Sequence, residues 1–127
     1  MTLDPALASV IAHRFALVDG VRLHYVEAGP PAAPAVVMLH GFPESWYSWR
    51  RQIPPLVAAG YRVIAPDMRG AGDSERPRAR SAYALARLAD DVAAVMRAAA
   101  VERATVAGHD WGAAIGWQLA EREPRLV

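Results

Sequence analysis

Apolar residues along the chain follow two rhythms, and the rhythms alternate. Ala35 to Leu39, Tyr61 to Ala65 and Ala104 to Ala107 are short, nearly uninterrupted apolar runs. A strand covered on both faces, as in a parallel sheet, needs such a run. Between the second and third runs, Leu85, Leu88, Val92, Val95 and Ala99 recur at steps of three and four, which predicts a helix over Tyr83 to Ala100. Trp46 to Gln52 reads as helical with Ser45 as its N-cap, and Pro54-Pro55 interrupts it and starts a second short helix that stops at Gly60. Ala113 to Glu121 is a further helix. Upstream, Phe15 to Val18 and Val21 to Glu27 alternate as strands around Asp19-Gly20, a pair that tolerates positive φ at both positions of a two-residue hairpin turn. The predicted order is a hairpin followed by three strand–helix units. That order points to an α/β fold: a mostly parallel sheet with helices on both faces.

Composition narrows the class. The 127 residues are 54% hydrophobic and 21% charged, with a formal net charge of +1 and no cysteine. Such a chain is globular, without a disulfide framework or thiol chemistry. The arginines are dispersed among acidic residues, so no nucleic-acid surface is expected. No apolar run approaches the roughly 20 residues that span a bilayer, and Met1 to Ala12 lacks a basic, leader-like start. A cytoplasmic location and no membrane partner are expected. Residues 1–127 read as part of one domain, with 1–14 as an N-terminal extension.

Chemistry in such sheets gathers beyond the carboxyl ends of the strands. Three polar clusters fall there: His40 to Ser45, Asp67 to Ser74 and Gly108 to Gly112. Gly108-His109-Asp110-Trp111-Gly112 has the small–x–nucleophile–x–small form of a strand-to-helix elbow, with aspartate where serine is usual. A carboxylate with a pKa near ~4 is already ionised at neutral pH and can attack a saturated carbon directly. It then forms an ester whose carbonyl water can attack, which suits epoxides or alkyl halides. Taken alone, the motif serves equally well as a buried aspartate capping the following helix. His40-Gly41-Phe42-Pro43 follows a buried strand upstream, where an elbow of this kind has its second oxyanion donor. The amides of Phe42 and Trp111 are therefore expected to converge.

These residues carry a resemblance. His40-Gly41-Phe42-Pro43-Glu44-Ser45-Trp46-Tyr47-Ser48-Trp49-Arg50, Asp67-Met68-Arg69-Gly70-Ala71-Gly72-Asp73-Ser74 and Gly108-His109-Asp110-Trp111-Gly112-Ala113 resemble the epoxide hydrolases of the α/β-hydrolase superfamily, from about Phe15 onward. The resemblance implies the N-terminal portion of an α/β-hydrolase fold, ending before the cap and the C-terminal strands. It implies Asp110 as nucleophile and the backbone amides of Phe42 and Trp111 as the oxyanion hole. It further implies a cis Phe42–Pro43 bond, and Phe42 and Trp111 side chains lining a pocket for a small apolar epoxide. It implies no cofactor and no metal. The family's histidine base, acid partner and cap tyrosines lie outside these 127 residues.

The other polar residues are read as structural. His109 points away from the nucleophile, His40 braces its own turn, and His13 and His24 are exposed. Tyr25, Tyr47, Tyr61 and Tyr83 are packing residues, as are Trp46 and Trp49. Asp67, Arg69 and Asp73 belong to a loop with an internal salt bridge, and Glu44 sits in a first helical turn, favoured by the dipole. Two alternatives stand beside the epoxide reading: a haloalkane dehalogenase-like hydrolase, with Trp111 at a halide site, and a catalytically inert truncated fragment. For the isolated chain, self-association through an exposed edge at Ala104 to Ala107 is expected.

Overall fold

The computed structural model describes residues 3–127. Strand β1 (Ile11–Val18) turns at Asp19 (φ 48°) and Gly20 (φ 80°) into β2 (Val21–Ala28). Both turn residues are left-handed, the twist that a tight hairpin needs. The hairpin begins four residues earlier than the pattern predicts, because Ile11 is in register with Ala28 and Arg14 pairs with Glu27 at 2.9 Å. Ahead of the hairpin, a short helix α1 (Pro5–Ala8), capped by the Asp4 side chain, buries Leu7. β3 (Ala35–Leu39), β4 (Arg62–Pro66) and β5 (Ala104–Gly108) complete a five-stranded sheet of order β1-β2-β4-β3-β5. β1, β2 and β4 are antiparallel neighbours, while β4, β3 and β5 run parallel.

Strand alternation divides the interior between the two faces. Val26, Ala28, Val36, Met38, Val63 and Ala65 pack with Leu7, Trp46 and Ile53. Leu23, Tyr25, Val37, Leu39 and Ile64 pack on the other side with α3 (Leu85–Ala98) and α4 (Trp111–Arg122) through Leu88, Val92, Met96, Ile115 and Leu119. Each Val, Leu, Ile or Met side chain among them contributes roughly 1.5–3 kcal/mol on burial. The helix predicted from Tyr83 starts at Leu85: Arg80–Tyr83 form a separate 3-10 turn, with the Tyr83 hydroxyl donating to the Pro77 carbonyl at 2.7 Å. Trp46–Trp49 likewise form one 3-10 turn capped by Ser45, and Pro54 and Pro55 lie inside the first turns of α2 (Ile53–Ala58). Proline there is tolerated because its missing N–H has no partner in a first turn. Among the described residues no helix is long and apolar enough to cross a membrane.

Topology positions the site. α3 carries the chain from β4 past β3, so β3 lies between β4 and β5 and Leu39 is in register with Gly108. The segments leaving β3 and β5 therefore emerge side by side.

The loop after β4 is fixed by buried polar contacts that differ from those expected. His24 is not exposed but 1% accessible, and its Nδ1 bonds Asp67 Oδ2 at 2.7 Å. Its Nε2 lies 2.8 Å from Nδ1 of the exposed His13. Asp67 also accepts the Trp46 amide at 2.8 Å and the Asp73 amide at 2.9 Å. Arg69 does not pair within its loop; it clamps Asp91 of α3 through two bonds of 2.6 and 2.7 Å. Tyr61, at 40% exposure, is not a core packing residue.

Burial opposes ionisation of Asp67, but the bonds from His24 and from the Trp46 and Asp73 amides outweigh it and hold the carboxyl below its ordinary value. A lowered folded-state pKa stabilises at all pH values above the unfolded value, near ~3.9, and the gain is lost as pH falls through the lower folded value. Asp67→Asn is expected to cost about 2 kcal/mol at pH 7, the loss of bonds to a charged group. In denaturant titrations the gap between wild type and variant should hold down to about pH 4.5 and close below the ordinary carboxylate value.

Candidate active site

The elbow between β5 and α4 is made by one residue in an unusual backbone state. Asp110 has φ 59° and ψ −124°, a region that glycine tolerates and a side chain resists. The turn is tight because α4 starts against β3: a Cβ at Gly112 would collide with the Leu39 carbonyl oxygen. The neighbouring bonds hold the bend, with the His109 amide on the Leu39 carbonyl at 3.1 Å and the Gly112 amide on the His109 carbonyl at 2.9 Å. The result is an exposed aspartate at the crest of the turn. It occupies the N-cap position of α4, yet its side chain makes no capping bond to that helix. The side-chain cap that the motif alone allows is absent.

The segment after β3 meets this carboxylate. The Phe42 amide donates to Asp110 Oδ2 at 3.1 Å, across 68 positions of sequence. Gly41 permits the approach, since a Cβ there would lie 2.5 Å from the Asp110 Cβ. The amide is aimed by what grips the other end of its peptide. The Gly41 carbonyl accepts from the Glu44 amide at 2.8 Å and from His40 Nδ1 at 2.9 Å. His40 Nε2 accepts the Met68 amide at 3.0 Å, so the ring proton must sit on Nδ1. His40 therefore braces its turn as expected and also ties it to the loop after β4. The Phe42–Pro43 peptide is cis, as the motif implies. The Trp111 amide, and after it the Phe42 amide, hold the Asp110 carboxyl below its ordinary value, so it is ionised at neutral pH.

Beside the elbow opens a cleft of about 740 Å³, mostly apolar, with Phe42, Trp111, Met68, Tyr83, Leu88 and Ile115 in its walls. The Phe42 side chain is 76% exposed and that of Trp111 54%, both unusual for large apolar groups. Glu44 departs from expectation. It lies outside any helix, and its Oε1 accepts the Gly41 amide at 3.1 Å and faces His109 Nδ1 at 3.2 Å. The Ser48 hydroxyl, then His109 and the Gly41 amide, hold Glu44 below the ordinary carboxylate range. His109 turns its Nδ1 to Glu44. Nothing in the linear spacing signalled that pair, or the His24–Asp67 bond, because each joins segments far apart in sequence.

One group has the residue types of a metal centre: the ligating atoms of His24, Asp67 and Asp73 lie within 4.8 Å of one another. Asp67 and His24 are already engaged there. Asp67 Oδ1 holds the Trp46 amide, and Oδ2 holds His24 and the Asp73 amide.

Known proteins share this fold. The sequence profile described as alpha/beta hydrolase fold matches residues 34–127. The chain belongs to the alpha/beta hydrolase fold family. Within the family its likeness is to the epoxide hydrolases. It is 50% identical over 114 residues to epoxide hydrolase B of Mycobacterium tuberculosis, covering 88% of this chain and 32% of that protein. It is 47% identical over 114 residues to an AB hydrolase superfamily protein of Bacillus subtilis, covering 90% of this chain and 40% of the relative. The crystal structure of an epoxide hydrolase from Vigna radiata superposes with a TM-score of 0.88 at 43% identity, over 94% of this chain and 38% of that one. The chain thus spans about a third to two fifths of the length of these relatives.

Backbone strain at the elbow yields a stability prediction. Asp110→Gly relieves the side-chain conflict at φ 59°. It is expected to raise the thermal midpoint by several degrees in calorimetry, whereas Asp110→Ala should not.

Proposed function

We propose that the chain carries the nucleophilic half of an epoxide hydrolase-type site, with Asp110 as the nucleophile. The observation that carries this reading is the Asp110 carboxylate itself: exposed at the elbow, without a side-chain cap bond to α4, with Oδ2 on the Phe42 amide at 3.1 Å. The two carboxylate oxygens then divide the work. Oδ1 attacks an epoxide carbon, the ring C–O bond breaks, the alkoxide takes up a proton, and a hydroxyalkyl ester of Asp110 results. Oδ2 stays with the Phe42 amide, and the Trp111 amide acts on the same carboxylate. When water adds to the ester carbonyl, the negative charge develops on Oδ2, where donors already stand. Collapse releases the diol and restores the carboxylate. Removing one donor of such a pair typically costs about 3–4 kcal/mol of transition-state stabilisation.

The mostly apolar cleft suits a small apolar epoxide, packed between Phe42 and Trp111. Water activation falls to other groups. Among the described residues, each histidine is engaged elsewhere: His13 with His24, His24 with Asp67, His40 with Gly41 and Met68, His109 with Glu44. The relatives extend well beyond the matched segment.

Trp111 favours a second reading. Its half-exposed indole beside Asp110 could donate N–H to a departing halide, as in a haloalkane dehalogenase-like hydrolase. The two readings share the nucleophile and differ in the leaving group.

Incubation with a reactive terminal epoxide, followed by peptide mass spectrometry, is expected to give a hydroxyalkyl adduct on Asp110 that Asp110→Ala abolishes. Adducts spread over other carboxylates, or unchanged in the variant, would refute the assignment. A 1-haloalkane run in parallel separates the second reading by halide release.

The sheet edge makes a further proposal for the isolated chain. β5 pairs with β3 on one side only, and α4 leaves Trp117 76% exposed beside it. An open edge flanked by apolar surface promotes association. Sedimentation of the 127-residue chain is expected to show concentration-dependent oligomers; a monodisperse monomer would contradict this.

A further inference from the structure

Glu44 touches both halves of the proposed oxyanion hole at one remove. Its Oε1 accepts the amide of Gly41, the residue before Phe42. The same oxygen faces the imidazole of His109, the residue before Asp110. Its own amide holds the Gly41 carbonyl at 2.8 Å, so the Gly41 peptide groups are gripped from two sides by one residue. Glu44 also stands between two cavities. One is the cleft that Phe42 and Trp111 line; the other is a smaller space of about 140 Å³ behind the elbow, walled by Ser48, Trp49, Gln52 and His109. The segments after β3 and β5 each end their sheet pairing at Leu39 and Gly108. Beyond that rung the backbone link between the two segments is the His109 amide on the Leu39 carbonyl at 3.1 Å, and side-chain contacts add to it.

We infer that Glu44 and His109 form a clamp that sets the distance between the Phe42 amide and the Asp110 carboxylate, and so act as positioning residues for the proposed reaction. The inference rests on the aspartate-nucleophile reading for its catalytic meaning, but its geometry stands without it. Glu44 accepts only, so His109 Nδ1 carries the shared proton, and the contact forms with a neutral or a charged ring. The imidazole does a second thing. A bare Glu44 carboxylate beside Gly41 would repel the nearby Asp110 carboxylate, and a positively polarised N–H facing it offsets that field. Neither side chain needs to reach the substrate. A change of about 1 Å in such a constellation is enough to alter the rate by orders of magnitude.

Two substitutions separate the clamp from mere charge. Glu44→Gln keeps an acceptor for the Gly41 amide and removes the charge; Glu44→Ala removes both. If Glu44 acts only as a nearby anion, both variants shift the Asp110 titration alike. If it holds the loop, Glu44→Ala loosens the Phe42 amide from Asp110, and Asp110 titrates higher in Glu44→Ala than in Glu44→Gln. Carbonyl-carbon NMR of the labelled 127-residue chain reads this without any epoxide. Coincident titrations would overturn the clamp. In the same samples, the Phe42 amide resonance should move in His109→Ala, and that movement should vanish in the Glu44→Ala background, where Nδ1 has no acceptor. Equal movement in both backgrounds would overturn the His109 half.

The catalytic consequence has its own readout. Ester formation with a terminal epoxide should slow roughly tenfold in Glu44→Ala and less in Glu44→Gln, in the maximal rate and not in the half-saturating concentration. Equal rates in wild type and Glu44→Ala would show that the clamp has no catalytic role. Absence of any adduct in the wild type would sink the nucleophile reading, while the NMR titrations would still decide whether the clamp exists.

Discussion

A single hydrogen bond between two loops organises the upper edge of this sheet: the Phe42 amide on Asp110 Oδ2. It can form only because β3 and β5 are adjacent and in register to their last rung, Leu39 opposite Gly108. Adjacency in turn depends on α4 lying close against β3, where Gly112 leaves no room for a side chain. The carboxylate is held out by a strained residue, and the strain is supported by ordinary packing. Ile115 and Leu119 anchor α4 in the core, and Leu39 anchors β3. Apolar burial on both faces of the sheet thus sustains one costly backbone conformation at its edge.

The polar groups around the elbow form linked layers. Glu44 and His40 hold the Gly41 peptide, and His40 reaches on to Met68. Met68 follows Asp67, whose carboxylate gathers His24 and the Trp46 and Asp73 amides. Arg69 fastens the same loop to Asp91 on α3. Buried polar networks of this kind are stable when every member is satisfied, and costly when one is not. They link the loops after β3 and β4 to each other and to α3, and the Phe42 amide links the first of these to Asp110.

Local pattern made the backbone legible. The hairpin at Asp19-Gly20, the three apolar runs and the stripe Leu88, Val92, Val95, Ala99 are short-range signals, and the sheet and α3 follow them. Errors fell at boundaries where a tertiary contact overrides periodicity, as at Tyr83, whose hydroxyl is tied to Pro77, and at Ile11 to Arg14, which the register with β2 recruits. The motif His40 to Pro43 and the elbow Gly108 to Gly112 were visible because their glycines answer to backbone crowding. Partners of charged side chains were not. His24, Arg69 and Glu44 each bond a residue more than 20 positions away, and nothing in their neighbourhood reveals which one.

The central claim concerns where each oxygen of one carboxylate goes. A crystal structure of the chain after reaction with a small terminal epoxide tests it most directly. The account predicts an ester through Oδ1 of Asp110, with Oδ2 still within hydrogen-bonding distance of the Phe42 and Trp111 amides. An ester on any other residue, or an Asp110 side chain swung down to cap α4 with both amides left empty, would contradict it.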